Sequence, residues 1–249
     1  MTRMLSSTGA AGKLRRMAAG ETRSFAAEKS ESDQIKSRER VRDLGEVYTH
    51  HREVSAMLDL VPDMFPSKEN PGNTDRAFLE PACGSGNFLV EILARKLAYV
   101  TPSRYGSSER FEHRVLRCLA SIYGIDICDE NVATARERMA DVIHGHIACH
   151  IRDQTQTPLF LSAVNAILAT NVIPANTLAN AADIELVEYA SPADGMFIRE
   201  WSHPFDPAAN EPTLFSLAEH RRDAMPVHYL ELACRPGPVA PALFEEQAA

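Results

Sequence analysis

Between residues 88 and 97 the apolar side chains Leu89, Ile92, Leu93 and Leu97 recur at intervals of three and four, the period of a helix that buries one face. The same spacing returns at Phe111, Val115, Leu116, Leu119 and Ala120, and again through Val132, Ala135, Met139 and Val142 to about Ile147. Val54, Met57, Leu58 and Val61 mark a shorter helix that Thr49 can cap, and residues 160–169 mark another. Short apolar runs at 78–80 and 122–126 read as buried strands, and residues 171–178 read as a strand that leads into a loop. Alternation at 184–189 and 196–201 predicts a hairpin closed by Ser191-Pro192-Ala193-Asp194-Gly195. Strands that alternate with helices predict an α/β fold with a mostly parallel sheet.

The ends lack such patterning. Residues 1–36 are rich in Ser, Ala, Gly and Arg; the first twenty carry Arg3, Lys13, Arg15 and Arg16 with no acid, as in an organellar transit peptide, and are read here as a disordered leader. Residues 62–76, with three prolines, read as a surface loop. Residues 206–249 are proline-rich, with short apolar pieces at 214–217 and 229–232, and read as a loosely packed extension of a domain at 37–205.

Composition adds bounds. A chain of 249 residues, 45% hydrophobic and 24% charged, can bury a full globular core. No apolar run reaches the roughly 18 residues of a membrane span, so neither a transmembrane helix nor a membrane partner is expected. The formal charge of -8 argues against holding nucleic acid by the overall field, so DNA affinity would need a local basic face or a partner subunit. Five cysteines form no Cys-x-x-Cys pair and are expected to be reduced thiols in a cytoplasmic protein. His144, His146, Cys149 and His150 cluster at a helix end without a matching acid, and no metal site is expected there.

The chemistry concentrates at Phe78-Leu79-Glu80-Pro81-Ala82-Cys83-Gly84-Ser85-Gly86-Asn87-Phe88-Leu89. A strand, a glycine turn and a helix start seat a nucleotide-like ligand at the carboxyl edge of a parallel sheet. Gly84 and Gly86 let the backbone bend sharply and approach a ligand closely. Glu80 at the strand end suits a cationic ligand better than a pyrophosphate. Asp126, ending the next strand about forty residues on, is placed to take both hydroxyls of a ribose. Asn176 reads equally as an acceptor for an adenine amine or as a turn residue.

Three segments together resemble one family. Gly45-Glu46-Val47-Tyr48-Thr49 resembles the Gly-x-x-Tyr-Thr-Pro signature of bacterial DNA adenine methyltransferases; residues 78–89 resemble their cofactor motif, and Tyr123-Gly124-Ile125-Asp126-Ile127 their second motif. The resemblance covers about residues 37–178. It implies a Rossmann-like class I methyltransferase fold: a seven-stranded, mostly parallel sheet with helices on both faces and S-adenosylmethionine at its carboxyl edge. Tyr48 and Thr49 would flank the methionine end. Glu80, with Pro81, Ala82, Cys83, Gly84, Gly86, Asn87 and Phe88, would hold that moiety. Asp126 would take the ribose, Ile127 would lie against the adenine face, and Asn176 would stand by the adenine amine.

The chain also departs from that family. The family's polar-Pro-Pro-aromatic loop, which accepts hydrogen bonds from a flipped adenine and stacks on it, has no counterpart, because no Pro-Pro pair occurs. Ser202-His203-Pro204-Phe205 is the nearest approach, which makes Ser202, Pro204 and Phe205 the candidate catalytic residues. Fewer than about 75 residues follow Asn176, so the fold is expected to be truncated in its C-terminal half. The expectation is a DNA adenine-N6 methyltransferase-like subunit of a restriction-modification complex, acting on DNA with a partner or target-recognition subunit. The alternatives are a catalytically silent, cofactor-binding paralogue that assists a partner methylase, and a small-molecule methyltransferase. A dehydrogenase is disfavoured, because Glu80 and the lack of a third glycine count against nicotinamide.

Overall fold

The structure is a computed structural model that describes residues 49–150, 158–206 and 221–240, all within one compact unit, Tyr48–Ala249. The expected leader, Tyr48 and the apolar piece at 214–217 lie outside the described residues.

Three short strands, β1 (Phe78–Glu80), β2 (Ile122–Asp126) and β3 (Val172–Pro174), form a parallel sheet in the order β1-β2-β3. Phe78 lies opposite Ile122, Glu80 opposite Gly124 and Asp126 opposite Pro174. Parallel neighbours require crossovers, and helices supply them. Helices α2 (Asn87–Leu97), α3 (Pro102–Tyr105) and α4 (Ser108–Ala120) join β1 to β2, while α5 (Asp129–His150) and α6 (Pro158–Asn171) join β2 to β3. The apolar positions named above as helix faces are the buried ones in α2, α4 and α5, save Val142, which is partly buried beside buried Ile143. With Ile122 and Val172 they form the main core.

The opposite sheet face carries a smaller cluster of Ile125, Ile184 and Leu186, with Tyr123, Ile173, Ala175 and Phe205 packed against it. None of these residues comes from a helix. Among the described residues, therefore, the parallel sheet has three strands rather than seven, and the helices join the main cluster rather than both clusters.

The predicted hairpin is present as β4 (Leu186–Ala193) and β5 (Met196–Ser202), joined in a second, antiparallel sheet by β6 (Val227–His228). Its turn is tighter than the sequence suggests: β4 runs to Ala193, with a register irregularity between Ala190 and Ala193 that accommodates Pro192. Residues 221–240 are not a loose extension. Asp223 and Arg199 form a buried pair, with Arg199 Nε donating to Asp223 Oδ2 at 2.9 Å and Nη2 to Oδ1 at 3.0 Å. Arg199 also donates to the carbonyls of Arg235 and Gly237, and Tyr229 and Leu232 sit in the main core. A buried guanidinium that needs every donor satisfied fastens the tail to β5.

The first described helix corrects another expectation. It is α1 (His51–Leu58), and His50, not Thr49, occupies the N-cap position. The helix stops before Val61, which precedes Pro62 and adopts a non-helical backbone. Met57 and Val61 are exposed. Val54 and Leu58 dock α1 in the main core, and polar bonds add to them: Glu91 meets His51 at 3.2 Å and Ser55 at 3.3 Å, and Arg95 reaches Asp59 at 2.8 Å.

A buried lysine fixes the approach to β1. Lys96 donates to Thr74 O at 2.9 Å, to Ser121 Oγ at 2.7 Å and to the Arg76 carbonyl. These bonds use the three ammonium protons, and burial lowers the pKa of Lys96 to about 8.

Candidate functional site

Glu80 and Asp126 end adjacent strands, so parallel pairing brings both carboxylates to one edge of the sheet. Between them the chain bends over β2. Cys83 N–H donates to the Ile125 carbonyl at 2.9 Å and Gly84 N–H to Asp126 Oδ2 at 2.8 Å. Gly84 and Gly86 have φ of +52° and +87°, a region that side chains with a Cβ seldom occupy. The two glycines face different surroundings. A Cβ on Gly84 would meet nothing within 4 Å, whereas one on Gly86 would lie 2.8 Å from Ala135 Cβ. The bend is open at Gly84 and closed against α5 at Gly86. Gly124 likewise lets Leu89 and Cys83 pack on the floor of the bend, where a Cβ would stand 2.5 Å from Leu89 Cδ1.

Asp126 holds the edge together. Its Oδ2 accepts from Gly84, and its Oδ1 accepts from Cys128 N–H at 2.9 Å and Asn131 Nδ2 at 3.3 Å. A carboxylate offers about four acceptor positions, so these bonds leave capacity for a donor from outside. Glu80 is less committed, with one bond from Ala82 N–H at 3.2 Å. Burial first, then the negative charges of Asp126 and Glu80, push the Cys83 thiol up to about 12. Cys83 is therefore a packing residue and not a nucleophile.

Other site residues group as follows. Thr49 reaches the turn through its carbonyl, which accepts from Asn87 Nδ2 at 3.0 Å. Pro81 and Ala82 are exposed on the bend and Phe88 is half-buried at the start of α2. Ile127, at the end of β2, is 56% exposed, an apolar surface just past Asp126. Asn176 gives its Oδ1 to its own turn, accepting from Leu178 and Ala179 N–H at 3.0 Å each. These are the bonds of a turn asparagine. The loop that Asn176 shapes returns over the sheet edge, where Thr177 Oγ1 donates to the Pro81 carbonyl at 3.3 Å.

The catalytic candidates lie against the smaller core and the cavity between the sheets. Phe205 packs into the smaller core with Ile125 and Leu186, so its ring is already engaged. Ser202 and Pro204 line a cavity of about 540 Å³ between the two sheets, whose walls include Leu79, Tyr123, Glu188 and Ile198. Among the histidines singled out above, His146 is spent on packing. It bonds the Val100 carbonyl at 2.8 Å and stacks on Phe111, and burial lowers its pKa to about 4. Among the described residues no group of three metal-ligating side chains converges, no cysteine is in a disulfide, and no helix is long and apolar enough to cross a membrane.

Two residues of the site escaped the sequence reading: Asn131, which supports Asp126, and Arg138, which donates to the Ser85 carbonyl at 2.6 Å and to Asn87 Oδ1 at 2.8 Å. Helical spacing puts Asn131, Ala135 and Arg138 on the face of buried Met139. Polar residues on an apolar face were the signal. No protein-family model, curated protein or solved structure matches the chain.

Proposed function

We propose that the carboxyl edge binds S-adenosylmethionine, and that the chain is a DNA adenine-N6 methyltransferase-like protein of a restriction-modification system working in the cytoplasm. The observation that carries this reading is the pair of acids around an open glycine bend. Glu80 suits a ligand with a sulfonium and an ammonium group. Asp126 retains acceptor capacity for a ribose hydroxyl, and exposed Ile127 offers a surface on which an adenine can stack. The finer identification, a class I methyltransferase fold, rests on the α/β architecture with its parallel sheet and on the motif resemblance. In an active enzyme the bound ligand would supply the methyl group, and Glu80, Asp126 and Ile127 would contribute mainly by holding it in position for a flipped adenine.

A second reading is favoured by one observation. Phe205 is part of a core, and Ser202 and Pro204 face a cavity between the sheets. This suits a cofactor-binding paralogue whose partner subunit supplies the catalytic loop and the basic DNA face.

Calorimetric titration with S-adenosylmethionine and with NAD tests the cofactor; binding of NAD alone refutes methylation. Transfer of tritiated methyl to unmethylated DNA then separates the two readings. The active enzyme incorporates label and loses it in Asp126→Ala, whereas the paralogue binds cofactor and incorporates none without its partner.

A further inference from the structure

We propose that Arg138 is a positioning residue that fixes the backbone of the glycine turn and, through Asn87, ties the turn to the segment entering α1. Its role in ligand binding rests on the cofactor reading above; its role in holding the turn rests on geometry alone.

Arg138 Nη1 meets three oxygens: the Ser85 carbonyl at 2.6 Å, Asn87 Oδ1 at 2.8 Å and Ser85 Oγ at 3.5 Å. Its partners are thus the residues on either side of Gly86. A guanidinium donates from a rigid plane, and a charged donor makes the stronger kind of hydrogen bond, so Ser85 and Asn87 are held in one relative orientation. With its oxygen engaged by Arg138, the Asn87 amide directs Nδ2 to the Thr49 carbonyl at 3.0 Å. Three parts of the chain distant in sequence, α5, the turn and the lead into α1, thereby share one hydrogen-bonded path.

Helix α5 supports the same turn sterically. Ala135, three residues before Arg138, leaves no room for a Cβ on Gly86. Asn131, one turn further back, reaches Asp126 Oδ1 at 3.3 Å, and Asp126 Oδ2 in turn holds Gly84 N–H. A single helix face thus sets the height of the turn through Ala135, its carbonyl side through Arg138, and, through Asn131, the acid beneath it. A turn already in its bound shape costs a ligand less ordering free energy. Releasing Arg138 removes that advantage while leaving the acids Glu80 and Asp126 and the residue Ile127 in place.

Full-length Arg138→Met, Arg138→Lys and Asn87→Ala test this by hydrogen–deuterium exchange, read by mass spectrometry, together with S-adenosylmethionine titration. Arg138→Met is expected to speed exchange at residues 84–90 and 49–54 by at least about tenfold while β4 and β5 keep their wild-type rates. Arg138→Lys, which restores one charged donor, recovers part of the protection. Asn87→Ala loosens 49–54 more than 84–90. Cofactor affinity falls on the order of tenfold in Arg138→Met and partly returns in Arg138→Lys. Unchanged exchange at 84–90 in Arg138→Met, or an equal rise in β4 and β5, overturns the positioning role. If Arg138→Met does not fold, the other two variants carry the test under the same criteria. Wild type that binds no S-adenosylmethionine refutes the cofactor reading alone, and the exchange pattern still decides the role of Arg138.

Discussion

Asp126 and Asp223 each organise a stretch of backbone, and they do so in opposite surroundings. Asp223 is buried, faces the Arg199 guanidinium with both oxygens, and also accepts from the N–H groups of Arg199 and Val239. Asp126 is half-buried, bonds only neutral donors and has no cationic side chain paired with it among the described residues. A buried ion pair with every position filled holds structure and has nothing left to offer. A carboxylate at a sheet edge, held by neutral N–H groups and still short of its full complement, has capacity for a ligand. The difference separates the part of the chain built to stay closed from the part that can receive something.

The most severe way to probe the contrast is Asp223→Ala. It strands a buried guanidinium and is expected to cost about 3–5 kcal/mol, measured as a drop in the urea midpoint. Replacing Arg199 and Asp223 together with apolar residues should recover much of that loss; a double variant as unstable as the single one contradicts the assignment.

Acid probes the same closed region. His113 accepts at Nδ1 from Gly195 N–H at 3.0 Å and lies edge-on to Phe197. Burial first, then Arg117 and Arg114 on its own helix, lower its pKa to about 4, against smaller opposing effects from the Met196 backbone and then Asp194 on the hairpin. A histidine whose folded pKa lies below its ordinary value of about 6.5 contributes stability that is present above that value and is lost as pH falls toward 4. The loss should reach up to about 3 kcal/mol, and His113→Gln should flatten the acid limb of the stability profile.

The two glycines of the bend sharpen the contrast within the open region. Gly86→Ala meets both an unfavourable φ and the Ala135 contact, and should cost about 2–3 kcal/mol. Gly84→Ala meets the unfavourable φ alone and should cost about 1 kcal/mol, because the space there is open. Equal costs, measured by thermal unfolding, would mean that α5 does not press on the turn.

Asp126→Ala, like Gly84→Ala, has a small expected effect on stability, about 1 kcal/mol, because water can reach the N–H groups it leaves behind. On the proposed cofactor reading its larger effect is on the ligand: S-adenosylmethionine affinity should fall at least tenfold, whereas a folded variant of the Asp223 pair should retain it.

The main elements were legible wherever local and tertiary preferences agreed. Leu89, Ile92, Leu93 and Leu97 announced α2, and the run ending in Asp126 announced β2, because these periods are set by burial on one face. The glycine bend was legible for the same reason, since only glycine suits its positive φ. What was missed depended on contacts distant in sequence. Helix α1 buries only Val54 and Leu58 of the apolar stripe that its sequence suggests, and polar bonds from Glu91 and Arg95, distant in sequence, complete its docking. The tail after Arg221 reads as proline-rich and loose, yet it is fastened by an arginine more than twenty residues earlier. Arg138 lies in the charged run Arg136-Glu137-Arg138, which carries no mark of a partner more than fifty residues earlier, and the fold shows that it reaches Ser85.

The most direct test is a structure determined with S-adenosylmethionine bound. The account predicts a ribose hydroxyl on Asp126, the methionine end beside Glu80, and the adenine against Ile127. Density for the ligand in the cavity between the sheets, with Asp126 still bonded only to Gly84, Cys128 and Asn131, would contradict it.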